Sequence, residues 1–276
     1  TLPIAYYTND ERAIADLLSG IAYGYPTCHT VYVNQVLGFI ISRLYMFLPE
    51  IPWWGTFHLI LISIGMYLSF RSIVCIGYKK QIPIAILIWI CVLLEIVLYL
   101  PFTSRLAFTV TPAVMSTGII STFFVMAPCR KRRSEYLRLC MLIGLFCLGY
   151  MMRHAVGMIQ CCFLFLGIIY YCFSRDDTKG IWKKAGRMFC ILLCFLLGIA
   201  FVQIGHHLIQ QNAVIQGKEN SEDNTYDAYR AAFWDYSHIS YDENPELFES
   251  IGWNKELYVL ASDGYFMLDD ACDLSV

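Results

Sequence analysis

Apolar residues in this chain gather into long runs separated by short polar seams. Six runs approach the roughly 20 residues that an α-helix needs to cross a bilayer. They cover 53–77, 82–101, 105–128, 137–153, 156–173 and 188–208. The seams alternate in charge. "GYKKQ" carries Lys79 and Lys80, "CRKRRSEYLR" carries Arg130, Lys131, Arg132, Arg133 and Arg138, and "SRDDTKGIWKKAGR" carries Arg175, Lys179, Lys183, Lys184 and Arg187. The intervening seams, "PFTSR" and "MMRHA", have one arginine each, Arg105 and Arg153. Cytoplasmic loops concentrate Lys and Arg, so the basic seams are expected inside and the other two outside. Residues 1–52 and 209–276 then both fall on the external side. The second of these carries 14 of the 22 acidic residues and three Lys or Arg.

Before the first run the pattern changes. "TNDERAIADLL" reads as a short amphipathic helix beginning near Asp10, capped by Thr8 or Asn9, with Ala13, Ile14, Leu17 and Leu18 as its apolar face. Asp10 and Glu11 complement the positive N-terminal end of such a helix. Gly20, Gly24 and Pro26 turn the chain. The next stretch, "TVYVNQVLGFIISRLYMFLPEIPWW", is apolar but interrupted by Asn34, Gln35, Ser42 and Arg43. Residues 30–48 are therefore expected to lie along the membrane surface, ended by Pro49 and Pro52 and anchored by Trp53 and Trp54.

Composition agrees with the pattern. Of 276 residues, 58% are hydrophobic and 15% charged, with a mean hydropathy of +0.53. The expected fold class is all-α, a polytopic α-helical membrane protein with external juxtamembrane helices and an external polar tail. Its parts are a first loop (1–52), a bundle of about six spans (53–208) and an aromatic-rich tail (209–276). The chain reads as a fragment of a longer polytopic protein with a further helix at each end. A net charge of −2 speaks against nucleic acid as a partner. Most of the 12 cysteines lie in apolar runs, and no Cys/His spacing specifies a metal or cofactor. Cys28 and Cys272 lie in polar segments, where a disulfide is conceivable.

An acidic pair on a short helix, a Pro-containing turn, a second surface helix and then a series of spans resembles the first external loop of GT-C fold membrane glycosyltransferases. Protein O-mannosyltransferases and bacterial aminoarabinose transferases are the nearest in layout. Residues 6–60 carry the resemblance, with Cys28-His29-Thr30 where the family often has His-Pro-Pro. Most of the chain also resembles, more diffusely, uncharacterised bacterial multispanning proteins with an "NDD"-like first loop and a late "WDY"-like segment, which imply no reaction. The glycosyltransferase resemblance implies a bacterial plasma-membrane enzyme of the cell envelope, with a polyprenyl-phosphate-linked sugar donor. It also implies that an acid of this loop is the catalytic base, at Asp10 first and Glu11 second.

Such a reaction needs an acid to deprotonate the acceptor hydroxyl and cations to hold the donor phosphate. Arg105, Arg153 and His154 are the candidate cations, and each is equally a surface residue snorkelling to water. Glu95 is the acid inside a span, expected toward the external side of it, where it either pairs with Arg105 or touches substrate. His206 and His207 are adjacent and project to different sides of a helix, which argues against a joint metal site. In the tail, a helix over "YDAYRAAFWDY" is expected, and Arg230, Trp234, Asp235 and Trp253 serve either packing or sugar recognition. The alternative reading is a non-catalytic multispanning protein, a transporter or an envelope assembly component.

Overall fold

The computed structural model describes residues 5–6, 9–22, 24–30, 32–126, 132–174, 180–215, 240–250 and 253–262. The fold is all-α, and the described strands are two residues each. In order come β1 (Ala5–Tyr6), α1 (Asn9–Ser19), α2 (Gln35–Phe47), α3 (Trp53–Lys79) and α4 (Ile84–Leu94). A π-helical turn (Glu95–Tyr99) joins α4 to α5 (Leu100–Ser104), followed by β2 (Arg105–Leu106), α6 (Val110–Val125), α7 (Arg132–Met152), α8 (His154–Phe173) and α9 (Ile181–Ile215). Two short helices, α10 (Pro245–Ser250) and α11 (Lys255–Ser262), come last. Residues 1–212 form one compact unit and 213–276 another.

Five helical stretches are long and apolar enough to cross a membrane: Trp53–Lys79, Ile84–Ser104, Ser134–Met152, His154–Phe173 and Ile181–Gln211. That is the pattern of a multi-pass membrane protein. The run expected from residue 105 is different. Arg105 and Leu106 pair in parallel with Ala5 and Tyr6, so the helix starts only at Val110 and has 16 residues. At 1.5 Å per residue α6 is about 24 Å long, against a hydrocarbon core of about 30 Å. Its place is central instead: α6 lies along α3 and also packs on α7 and α8. Close approach of α3 and α6 depends on two glycines. A Cβ on Gly65 would sit 2.7 Å from the Met115 Cα, and one on Gly118 would strike the Gly65 carbonyl oxygen.

The span that begins at Ile84 also continues past Pro101. Proline lacks the N–H for the helical ladder, and its ring crowds the carbonyl four residues back. The helix widens just before it, where Leu100 N–H bonds the Glu95 carbonyl, and then resumes to Ser104. Glu95 therefore stands near the middle of the 21-residue stretch, deeper than its expected position toward one end.

The two helices before the spans form as expected, with one change of face. The buried residues of α1 are Glu11, Ile14, Ala15 and Leu18, spaced i, i+3, i+4 and i+7, whereas Ala13 is exposed. Gly20 ends the helix at φ +88°, in a turn where a Cβ would lie 2.6 Å from the Pro26 nitrogen. In α2 the Asn34 side chain accepts the Val36 N–H at 3.0 Å, an N-cap. With 13 residues, α2 is about 20 Å long and too short to span. It buries Leu37, Ile41 and Tyr45 and leaves Phe39, Ile40, Met46 and Phe47 exposed.

In the second unit, Tyr241, Trp253 and Tyr258 gather around the buried Phe248, with the Phe248 and Tyr258 rings 5.0 Å apart. Trp253 thus has a packing role. Arg230, Trp234 and Asp235, the expected helix around them, and Cys272 lie outside the described residues.

Candidate functional site

Several segments converge at the end of the bundle where α3 and α6 begin and α7 gives way to α8. Phe108, in the turn between β2 and α6, is the meeting point. Its backbone N–H donates to Glu11 Oε1 at 3.1 Å. Its ring stacks on Tyr32, centroids 5.7 Å apart and planes 13° from parallel. The Arg153 guanidinium carbon lies 4.9 Å from the centroid of Phe108 and 4.7 Å from that of Tyr32. A cation over two aromatic faces is attracted by both quadrupoles. Arg153 is the extended residue between α7 and α8, with φ −152°.

The acidic pair divides. Glu11 is 1% exposed and fixed to the Phe108 backbone, while Asp10, its neighbour on the first turn of α1, is exposed. A buried carboxylate held by a backbone donor positions chain segments, whereas an exposed one is open to a ligand. Of the expected cations, Arg153 is drawn into this cluster. Arg105 is exposed on β2, three residues before Phe108, and His154 is exposed at the start of α8. Glu95 is outside the cluster and makes no ion pair with Arg105.

Further polar links close the same end. Asn34 N–H donates to the Met151 carbonyl at 2.8 Å, satisfying an acceptor in the last turn of α7. Gln35 N–H donates to His206 Nδ1 at 3.1 Å, so that ring nitrogen carries no proton and α9 is tied to the start of α2. The start of α3 is capped by tyrosines. Tyr45 accepts the Trp54 N–H at 3.0 Å, and Tyr6 accepts that of Gly55. Burial, helped by the nearby Tyr45, pushes the Tyr6 phenol up to about 12. One turn further, His58 Nδ1 lies 2.7 Å from Thr111 Oγ1, joining α3 to α6. Among the described residues no group of three His, Cys, Asp or Glu is arranged to hold a metal ion.

Tyr32, Phe108, Tyr6 and Tyr45 are not singled out by sequence patterning. Their partners are 97 residues away for Phe108 and 9 for Tyr45, and single aromatics in apolar surroundings carry no spacing signal. Glu11 did leave a signal, since it stands three, four and seven residues before Ile14, Ala15 and Leu18. No family model, curated protein or solved structure matches the chain.

Proposed function

We propose that this chain belongs to a membrane glycosyltransferase of the GT-C type, which moves a sugar from a polyprenyl-phosphate donor to an external glycan, lipid or protein acceptor. One observation carries the reading: Glu11 and Arg153 meet at Phe108, Glu11 through the backbone N–H and Arg153 through the ring, with the exposed Asp10 next to Glu11 in the chain. An acid and a cation held beside one another at one end of a bundle of apolar helices are what the reaction requires.

In this reading Asp10 is the general base that takes the acceptor hydroxyl proton. Glu11 is a positioning residue that fixes the first turn of α1 against the turn before α6. Arg153 offers its guanidinium to the donor phosphate while held beside the Tyr32 and Phe108 rings. Exposed Arg105 adds a further cation and exposed His154 a ring nitrogen at the same end of the bundle. The working face is external, as the alternation of basic seams implies. The test is transfer or release of radiolabelled sugar from a polyprenyl-phosphate donor by purified protein in detergent. Time-dependent release supports the reading, and none above buffer favours the second one. That second reading is a non-catalytic multispanning protein, in which Glu11, buried and hydrogen-bonded, serves structure alone.

A further inference from the structure

α3 and α4 form an antiparallel hairpin whose register two contacts fix. The Leu87 side chain fills the space over Gly77, and the Phe70 ring meets that of Tyr99 edge-on at 5.4 Å. Between these contacts lie Arg71 on α3 and, within about one helical turn of it in depth, Glu95 on the widened turn after α4. Counting from the hairpin turn at 1.5 Å per residue, Arg71 stands about 12 Å deep and Glu95 about 16 Å. Both face one side of the hairpin. A shallow apolar groove there is lined by Val74, Ile84, Leu87, Ile88, Cys91 and Val92. Val74 is one helical turn from Arg71, and Cys91 is one turn from Glu95, so the two charges continue the two walls of the groove.

Neither side chain has a hydrogen bond or ion pair, and Arg71 is exposed while Glu95 is half-buried. The stretch Ile84–Ser104 is also the least covered of the five candidate spans, with 11% of its apolar window buried. Ionised groups near mid-span are costly in hydrocarbon unless they meet a partner. We propose that this groove is a dimer interface, in which a second copy of the chain packs groove to groove and Arg71 of each copy pairs with Glu95 of the other. A two-fold axis along the bilayer normal keeps every residue at its own depth, so the offset of about 4 Å within one hairpin is also the offset between copies, within reach of an arginine side chain. The pairing is reciprocal, as an isologous interface demands. The chain itself supplies both signs at the right depth, which is the reason for choosing a second copy over another protein. The inference is independent of the glycosyl-transfer reading.

The experiment uses full chains with two different tags, co-expressed in membranes, extracted in mild detergent and captured on one tag. Wild type should capture wild type. Arg71→Glu paired with itself, and Glu95→Arg paired with itself, should each lose about tenfold or more of that capture, because like charges face one another. Co-expressing the Arg71→Glu chain with the Glu95→Arg chain should restore it, since every acid then meets a cation across the interface. Restoration also shows that both variants are folded and inserted. Absence of wild-type capture, undiminished self-capture of either variant, or failure of the mixed pair would each overturn the proposal. An ion pair closed within one hairpin predicts the last of these.

Discussion

Glu11 and Phe108 are 97 residues apart in sequence, and the carboxylate of one accepts the backbone N–H of the other at 3.1 Å with Glu11 1% exposed. The contact fastens the first helix of the chain to the turn that opens the central helix α6. Removing a buried acceptor leaves its donor unsatisfied, a cost of about 1–3 kcal/mol. Glu11→Ala should therefore lower the thermal midpoint of detergent-solubilised protein by several degrees. Glu11→Gln keeps an oxygen that can accept the same N–H and should lose less than half as much. Equal losses would mean that the hydrogen bond to Phe108 is not what Glu11 contributes.

The α3–α6 crossing should tolerate no added side chain. Gly65 and Gly118 bring the two backbones together, and a Cβ at Gly65 would lie 2.7 Å from the Met115 Cα. Gly65→Val should destabilise by at least the ~1–3 kcal/mol typical of overpacking, because the obstacle is backbone and cannot swing aside. Gly144, with nothing near its absent Cβ, is the control: Gly144→Ala should leave the midpoint unchanged or slightly higher. Denaturant unfolding of the three proteins makes the comparison.

The capping tyrosines predict an alkaline limit. Burial raises the Tyr6 phenol from its ordinary value near 10 to about 12. The folded protein thus holds this proton where the unfolded chain releases it. The associated stability is complete below pH about 10 and is lost as pH rises toward about 12. Between pH 9 and 11.5 the thermal midpoint of wild type should fall more steeply than that of Tyr6→Phe. Identical slopes would show that Tyr6 is solvated in the folded state.

How much of this was legible beforehand depends on the range of each interaction. Five of the spans follow from run length alone, although the last begins at Ile181 and takes Lys183 and Lys184 from the expected seam into α9. The exception, α6, differs because Arg105 and Leu106 are taken into a pairing with Ala5 and Tyr6, and a partner about 100 residues away leaves no local trace. Pro101 reads as a helix end, yet a π-helical turn absorbs it and carries Glu95 to mid-span. On α1 the buried face differs from the expected one by one position. Counting Ala13 and Leu17 as apolar rotated the stripe away from Glu11, although Ala13 is exposed and Ala15 is buried. An acid on an otherwise apolar stripe was the available clue. Arg153 was visible as a charge in a short seam, but its two aromatic partners were not.

Arg153 should matter through its two ring contacts as well as its charge. Arg153→Lys keeps the charge and part of the attraction to the Tyr32 and Phe108 rings, so it should lower the thermal midpoint less than Arg153→Ala, which loses the whole of about 0.5–2 kcal/mol. In the transferase reading, Arg153→Ala raises KM for the polyprenyl-phosphate donor about tenfold, one lost charge-assisted hydrogen bond, with kcat changed much less. A fall in kcat at unchanged KM would mean that Arg153 acts on the transition state and not in donor binding.

The central claim is that a first-loop acid does chemistry, and Asp10 tests it most directly because its side chain is exposed where that of Glu11 is committed to Phe108. The measurement is the turnover of labelled sugar from a polyprenyl-phosphate donor by wild type and by Asp10→Asn, with the thermal midpoint of each recorded in the same detergent. The account predicts matching midpoints and turnover lowered by about 100-fold or more, the usual scale for loss of a general base. Wild-type turnover in Asp10→Asn would contradict it and leave Asp10 as a solvated charge at the start of a helix.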